Sequence, residues 1–375
     1  MNHYVTPNKY LAFSILIIGQ ILTGLLSSIF PIKIPTLLLL YSIVLLVSLN
    51  RLYVPSIKIK LNSSLFFLFF CLLIISGYNN GLDRSLTFEK IVLIIYNIFI
   101  PILFYKFLFS NRFIDYINEA SPYIIAISKM TILVSFIAYS IGYIEYFDGD
   151  GMRLTLKGID NPIWFSRYLS FSIFAIIFLK KLKINFYEIL LLLIACFLLY
   201  KSGSRAPFVI LLFVGLLATY KMKKFKYLLL CVLICVLVYF FIGNVRIFNF
   251  DIMNDYSSIH RMAFFEIIFE RDWNILSGVG LGNFGPFFFN EFSRVYPHNI
   301  VVEIFTESGL ITLVIFSVLI IRVITKSASN IIYYFFLIAL LNSFVSGDIP
   351  GNASLFIFLY ISELRVAPKF KKLTQ

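Results

Sequence analysis

His298 lies at the head of the run Tyr296-Pro-His-Asn-Ile-Val-Val-Glu-Ile-Phe-Thr-Glu-Ser-Gly309, where a long polar excursion re-enters an apolar stretch. An imidazole titrates near neutrality, so at the lip of a hydrophobic segment it reads as a general base. Arginines recur at comparable places. Arg205 closes the tight hairpin Lys201-Ser-Gly-Ser-Arg205-Ala-Pro207. Ser204 is placed to cap the following helix and Pro207 fits its first turn, so Arg205 falls where free N–H groups already favour an anion. The plainer reading, an interfacial arginine snorkelling to headgroups, stands beside it. Arg261 begins the stretch Arg261–Glu270, whose Phe264, Phe265, Ile268 and Phe269 suit a helix lying on a membrane surface. Arg153 precedes Asp160-Asn-Pro-Ile-Trp164 and Arg167. Each arginine alone is ordinary; together they suit an anionic ligand, because the guanidinium fork matches phosphate oxygens. Glu303 and Glu307 follow His298 on a largely apolar helix, where an unpaired carboxylate is costly. They read as partners for arginines first and as catalysts second, with Tyr296 and Arg294 as supporting groups.

The elements that must hold these groups are membrane helices. Hydrophobic residues make up 60% of the 375 and charged residues only 14%, outside the soluble balance. Apolar runs near spanning length occur at 10–30, 34–50, 62–77, 88–109, 121–143, 162–180, 186–200, 206–220, 226–243, 299–322, 331–346 and 352–365. The pattern predicts an all-α, polytopic chain of about twelve transmembrane helices. It forms one domain over 1–375, with a large extracytoplasmic loop at 244–297 that has room for short amphipathic helices and not for an independent core. The first span lacks the features of a cleaved signal peptide.

The net charge of +13 does not indicate nucleic acid. Alternating the spans from a cytoplasmic N-terminus puts nearly all the loop lysines on one side, from Lys9 and Arg51 through Lys180, Lys181 and Lys224 to Lys371. The opposite side is left close to neutral, which is the positive-inside pattern. Both termini are expected inside, with 144–161 and 244–297 outside. The four cysteines (Cys71, Cys196, Cys231, Cys235) fall inside spans with no histidine at ligand spacing, so neither disulfides nor a metal site is expected. Gly280-Leu-Gly282-Asn-Phe-Gly285 spells a dinucleotide fingerprint, but no strand precedes it. It reads as a glycine turn able to bring backbone close to a ligand. Asp148-Gly-Asp150-Gly151 lacks the remaining acids of a calcium loop and reads as an acidic turn.

At Gly203-Ser-Arg205, at Arg261 with its amphipathic stretch, at Gly278-Val-Gly-Leu-Gly-Asn-Phe284 and at Pro297–Gly309 the chain resembles the O-antigen ligase and O-antigen polymerase superfamily. These segments span the C-terminal half; the N-terminal half matches only in hydropathy and at Arg153…Asn161-Pro162. The resemblance implies a metal-independent, class C-like glycosyltransferase of the inner membrane, without a cofactor, whose site faces the periplasm. It implies a polyprenyl-diphosphate-linked oligosaccharide as donor, diphosphate contacts from Arg205, Arg261 and Arg153, and His298 as base. The Tyr-Pro-His-Asn wording and the short loop look more like a polymerase of lipopolysaccharide or related surface-glycan repeat units, working with a chain-length regulator. A ligase acting on lipid A core is the alternative. A lipid-linked glycan transporter is the non-enzyme rival. It predicts ionisable residues near mid-membrane, where Lys129 alone reads as lying within a span.

Overall fold

The computed structural model describes residues 10–12, 14–15, 61–108, 113–147, 153–157, 161–180, 183–221, 223, 256–327 and 331–366. The spans expected at 10–30, 34–50 and 226–243, the acidic turn at 148–151, Cys231 and Cys235 lie wholly or almost wholly outside them. The described chain is mostly helical. In order come α1 (Leu61–Asn80), α2 (Arg84–Ile94), a π-helical turn (Ile95–Phe99), α3 (Ile100–Leu108) and α4 (Phe113–Ser140). Strands β1 (Ile144–Phe147) and β2 (Arg153–Leu156) follow, then α5 (Pro162–Leu179), α6 (Phe186–Lys201) and α7 (Arg205–Lys221). The chain continues through α8 (Tyr256–Glu270), α9 (Phe284–Phe289), α10 (Ile300–Ser327), α11 (Ile331–Ser343), a 3-10 turn (Pro350–Asn352) and α12 (Ala353–Val366). Among the described residues four segments are long and apolar enough to cross a membrane: Arg84–Tyr105, Glu119–Ser140, Pro162–Leu179 and Ile300–Thr325. The described residues gather into two compact units, each made of two stretches of chain.

The first unit comprises Met1–Val54 and Tyr105–Ile259. Its centre is α5, packed against α4, α6 and α7 and buried over most of its length. A helix surrounded by helices needs no polar face, and the buried sides of α5 carry serines and a single charge, Arg167. Those serines tie it to its neighbours. The Ser166 hydroxyl is 2.6 Å from that of Ser202, and Ser170 donates to the carbonyl of Pro207 at 3.2 Å. Asn161 caps α5 with Pro162 in its first turn, and Asn185 with Glu188 forms a capping box on α6. The loop between α4 and α5 departs from the all-α expectation. Ile144-Glu-Tyr-Phe and Arg153-Leu-Thr-Leu are rich in β-branched and aromatic residues and pair as an antiparallel hairpin, Ile144 opposite Leu156 and Phe147 opposite Arg153.

The second unit comprises Pro55–Phe104 and His260–Gln375. Here α10 packs on α1 and α12, with α11 against α12. Phenylalanines fill the space: Phe69 stacks on Phe316 and Phe356, with centroids 5.4 and 5.9 Å apart. Part of the outer excursion builds a local apolar cluster. Phe264, Ile268, Val279, Phe284 and Phe288 are buried together, with Trp273 and Val302 packed against them. Phe264, Phe284 and Phe288, with Phe287 and Phe289 against them, supply enough apolar area to close this small cluster.

Candidate functional site

His298 does not sit in the helix it precedes. Its backbone is left-handed (φ 55), unusual for a non-glycine residue. Asn299 then caps α10, its side-chain oxygen accepting from the N–H groups of Val301 (2.9 Å) and Val302 (3.3 Å). The turn aims the imidazole along the outer loop. Its centroid lies 4.6 Å from Tyr296, edge-on, and 6.2 Å from Phe264, stacked. Phe264 belongs to α8, three residues after Arg261 and so on the same face. Phe264 and Ile268 point inward while Phe265 and Phe269 stay exposed. The expected amphipathic stretch therefore divides its phenylalanines between the local core and the outside.

Glu303 and Glu307 do pair with a cation, but it is a lysine and not an arginine. Lys90 of α2 reaches both: its ammonium is 2.5 Å from Glu303 Oε1 and 2.8 and 2.6 Å from the two oxygens of Glu307. Lys90 is 4% exposed and the glutamates are wholly buried. Residues four apart share one helix face, so both carboxylates can converge on one ammonium. Lys129 is therefore not the only ionisable residue within a span, since Lys90 lies inside Arg84–Tyr105. Arg294 instead binds Asp348, a buried acid in the turn after α11. Burial opposes the charge on Arg294, but Asp348 outweighs it and holds the guanidinium above its usual value. Asp348 also acts electrostatically on Lys90 and Glu303, so the five groups form one electrostatic network.

The glycine segment approaches protein backbone and not a free cavity. A side chain on Gly280 would lie 2.6 Å from the N of Gly81, and one on Gly282 would lie 2.9 Å from the carbonyl of Leu86. The loop thus lies flat on the α1–α2 turn, held by Asn283, whose side chain accepts from the Asp83 N–H (2.6 Å) and donates to Thr87 (2.9 Å). The same loop reaches α10 where that helix is interrupted. Gly309 has φ 80 and ψ 177, a conformation open essentially to glycine alone. The Leu310 N–H, which an unbroken helix directs to Thr306, goes to the carbonyl of Ile275 at 2.8 Å. The carbonyls of Thr306 and Glu307 accept from Val279 and Gly280 at 2.8 and 2.9 Å. Backbone groups freed by the break are thereby satisfied by the loop, as burial in an apolar medium demands.

In the first unit, Arg153 and the Lys201–Pro207 hairpin come together. Arg153 Nη2 donates to the Ser204 hydroxyl at 3.1 Å, and its Cγ lies where a side chain on Gly203 would make close contact. Ser204 stands at the N-cap position of α7 and Arg205 is the first helical residue, as the sequence predicts. Arg167 is buried in α5. A second buried cluster joins α4, α5 and α6: Glu188 binds Lys180 at 2.5 Å and also Lys129. Arg153 and Arg205 belong to the first unit, and Arg261, Arg294, Tyr296 and His298 to the second.

Lys90 and Asp348 are the residues that sequence reading missed. The signal for Lys90 was present. A lone lysine within an apolar run carries the same cost that singled out Glu303 and Glu307, and opposite costs cancel by pairing. Among the described residues no group of three His, Cys, Asp or Glu is placed to hold a metal ion. Compared with family models, with curated proteins and with solved structures, the chain matches none.

Proposed function

We propose that this chain is a membrane glycosyltransferase of the O-antigen polymerase type, joining polyprenyl-diphosphate-linked repeat units at the outer face of the inner membrane. The observation that carries the reading is the setting of His298. The imidazole is turned out of the helix by a left-handed residue and braced by Tyr296 and Phe264, one helical turn from Arg261. In this reading neutral His298 takes the proton from an acceptor hydroxyl as its oxygen attacks the anomeric carbon of the donor. The glycosidic bond to the diphosphate breaks, the anomeric centre inverts, and the carrier diphosphate leaves with the bonding pair. Arg261, on the face of α8 that carries Phe264, neutralises the charge growing on that diphosphate, a charge-assisted bond contributing about 1.5–3 kcal/mol. That charge neutralisation is what a divalent metal supplies in other glycosyl transfers. Both termini are cytoplasmic, the 244–297 loop is periplasmic, and a chain-length regulator is the expected protein partner.

The test is His298→Ala, scored by protein level in membranes and by glycan length. The expected outcome is normal level with chain growth reduced by about 10²–10⁴-fold, leaving core that carries a single repeat unit. Long glycan of normal distribution from this variant removes the base assignment. The transporter reading keeps a place because of the Lys90–Glu303–Glu307 cluster beside the Gly309 break, since buried charge beside an interrupted span is what a translocation site uses. Under that reading a deletion strain accumulates repeat units on the inner leaflet instead of one-unit core.

A further inference from the structure

Gly309 divides α10 into an outer segment, Ile300–Ser308, and an inner one. A helix interrupted this way does not by itself keep its two parts aligned, because the hydrogen bonds that would span the break go elsewhere. Two things fix the outer segment. One is the 275–280 backbone, which bonds at residues 306, 307 and 310, beside the break. The other is Lys90, which grips the first two turns from the side at Glu303 and Glu307. Both grips lie within twelve residues of His298, and the Asn299 cap joins the imidazole to that same segment. The lysine forms three hydrogen bonds in a place where nearly any other side chain leaves two carboxylates facing each other without a cation.

We propose that Lys90 is a positioning residue for His298: by clamping Glu303 and Glu307 it holds the outer segment of α10, and so sets where the imidazole meets the acceptor. This rests on His298 acting as the base. Displacement of a reacting group by about 1 Å costs on the order of 10²-fold in rate while leaving remote binding intact, so the effect falls on kcat and not on KM.

The experiment uses the full chain in proteoliposomes, with lipid-linked repeat unit as substrate. It compares Lys90→Met, Lys90→Arg, the triple variant Lys90→Met/Glu303→Gln/Glu307→Gln and His298→Ala. Lys90→Met is expected to lower kcat about 10- to 100-fold with KM for the donor within about 2-fold of the original, and Lys90→Arg, which can bridge both carboxylates, to recover most of the rate. Where Lys90→Met does not accumulate, the triple variant decides, because it removes the unpaired buried charge along with the clamp. Low kcat with unchanged KM supports positioning. An original rate in either variant overturns it, as does a loss confined to KM. Failure of both to accumulate also overturns it, making Lys90 a residue of the fold alone. Full activity in His298→Ala defeats the underlying reading instead, whichever way the lysine variants behave.

Discussion

Among the described residues two lysine–glutamate clusters join helices, one in each unit, and their stoichiometries are inverted. In the first unit two lysines, Lys129 and Lys180, share the single carboxylate of Glu188. In the second, two carboxylates share Lys90. The side chains of the first pair of lysines stay 26% and 27% exposed, whereas that of Lys90 and all three carboxylates are buried. The difference follows from side-chain anatomy. A surplus lysine carries its charge to water on a four-carbon stem, so an excess of cations near an interface is cheap. A glutamate stem is too short for that, and Glu303 Oε2 is buried with no hydrogen-bond donor among the described residues. An excess of carboxylates is therefore held only where the fold grips it from several sides, as Lys90 and the 275–280 loop do here.

That contrast sets an order of sensitivity. Glu307→Ala removes two of the three bonds to Lys90 and leaves a buried ammonium half-satisfied; it should destabilise the protein by about 3–5 kcal/mol, read as a large fall in the thermal midpoint in detergent. Glu188→Ala should cost less, about 1–3 kcal/mol, because the two released lysines can reach water. A larger loss at Glu188 than at Glu307 would break the comparison. Asp83, the N-cap of α2, marks the solvated extreme. The Ser85 hydroxyl and N–H donate to its carboxylate and hold it below the usual carboxylate range of 3.8. A depressed folded value means the contribution is present above the unfolded pKa and fades as the pH falls through the folded one. Asp83→Asn, still a good cap but uncharged, should therefore be slightly less stable than the original protein at about pH 6, with the gap closing below about pH 4, the smallest of the three effects.

Local features were legible in the sequence. The Asn161-Pro162 helix start, the Ser204-Arg205 hairpin and the polar turn before Ile300 all depend on neighbours within four residues, and capping chemistry acts at that range. The helical class and the apolar segments followed from composition and run length. What escaped was long-range. Lys90 meets Glu303 across 213 residues, and Arg294 meets Asp348 across 54. No spacing rule reaches so far; only the cost of each isolated charge hinted that a partner existed. The glycine segment was misread for a related reason. Its small residues do mark a close approach, but to the α1–α2 turn instead of a ligand, and the residue type is the same for either neighbour. The 144–156 hairpin escaped because four-residue strands give too brief an alternation to compete with the helical signal around them.

The exchange of backbone bonds at Gly309 ties the fate of the outer loop to that of α10. Pruning residues 274–282 would strip partners from the carbonyls of Thr306 and Glu307 and from the amide of Leu310, exposing bare polar groups in an apolar setting. The exposed tip at Glu291–Ser293 makes few such commitments: among the described residues its backbone bonds only to Gly285 and Val295. An inserted residue should therefore be tolerated at the tip and resisted at the glycine seam, so that the seam behaves as an internal part of the membrane helix even though it is encoded upstream of it.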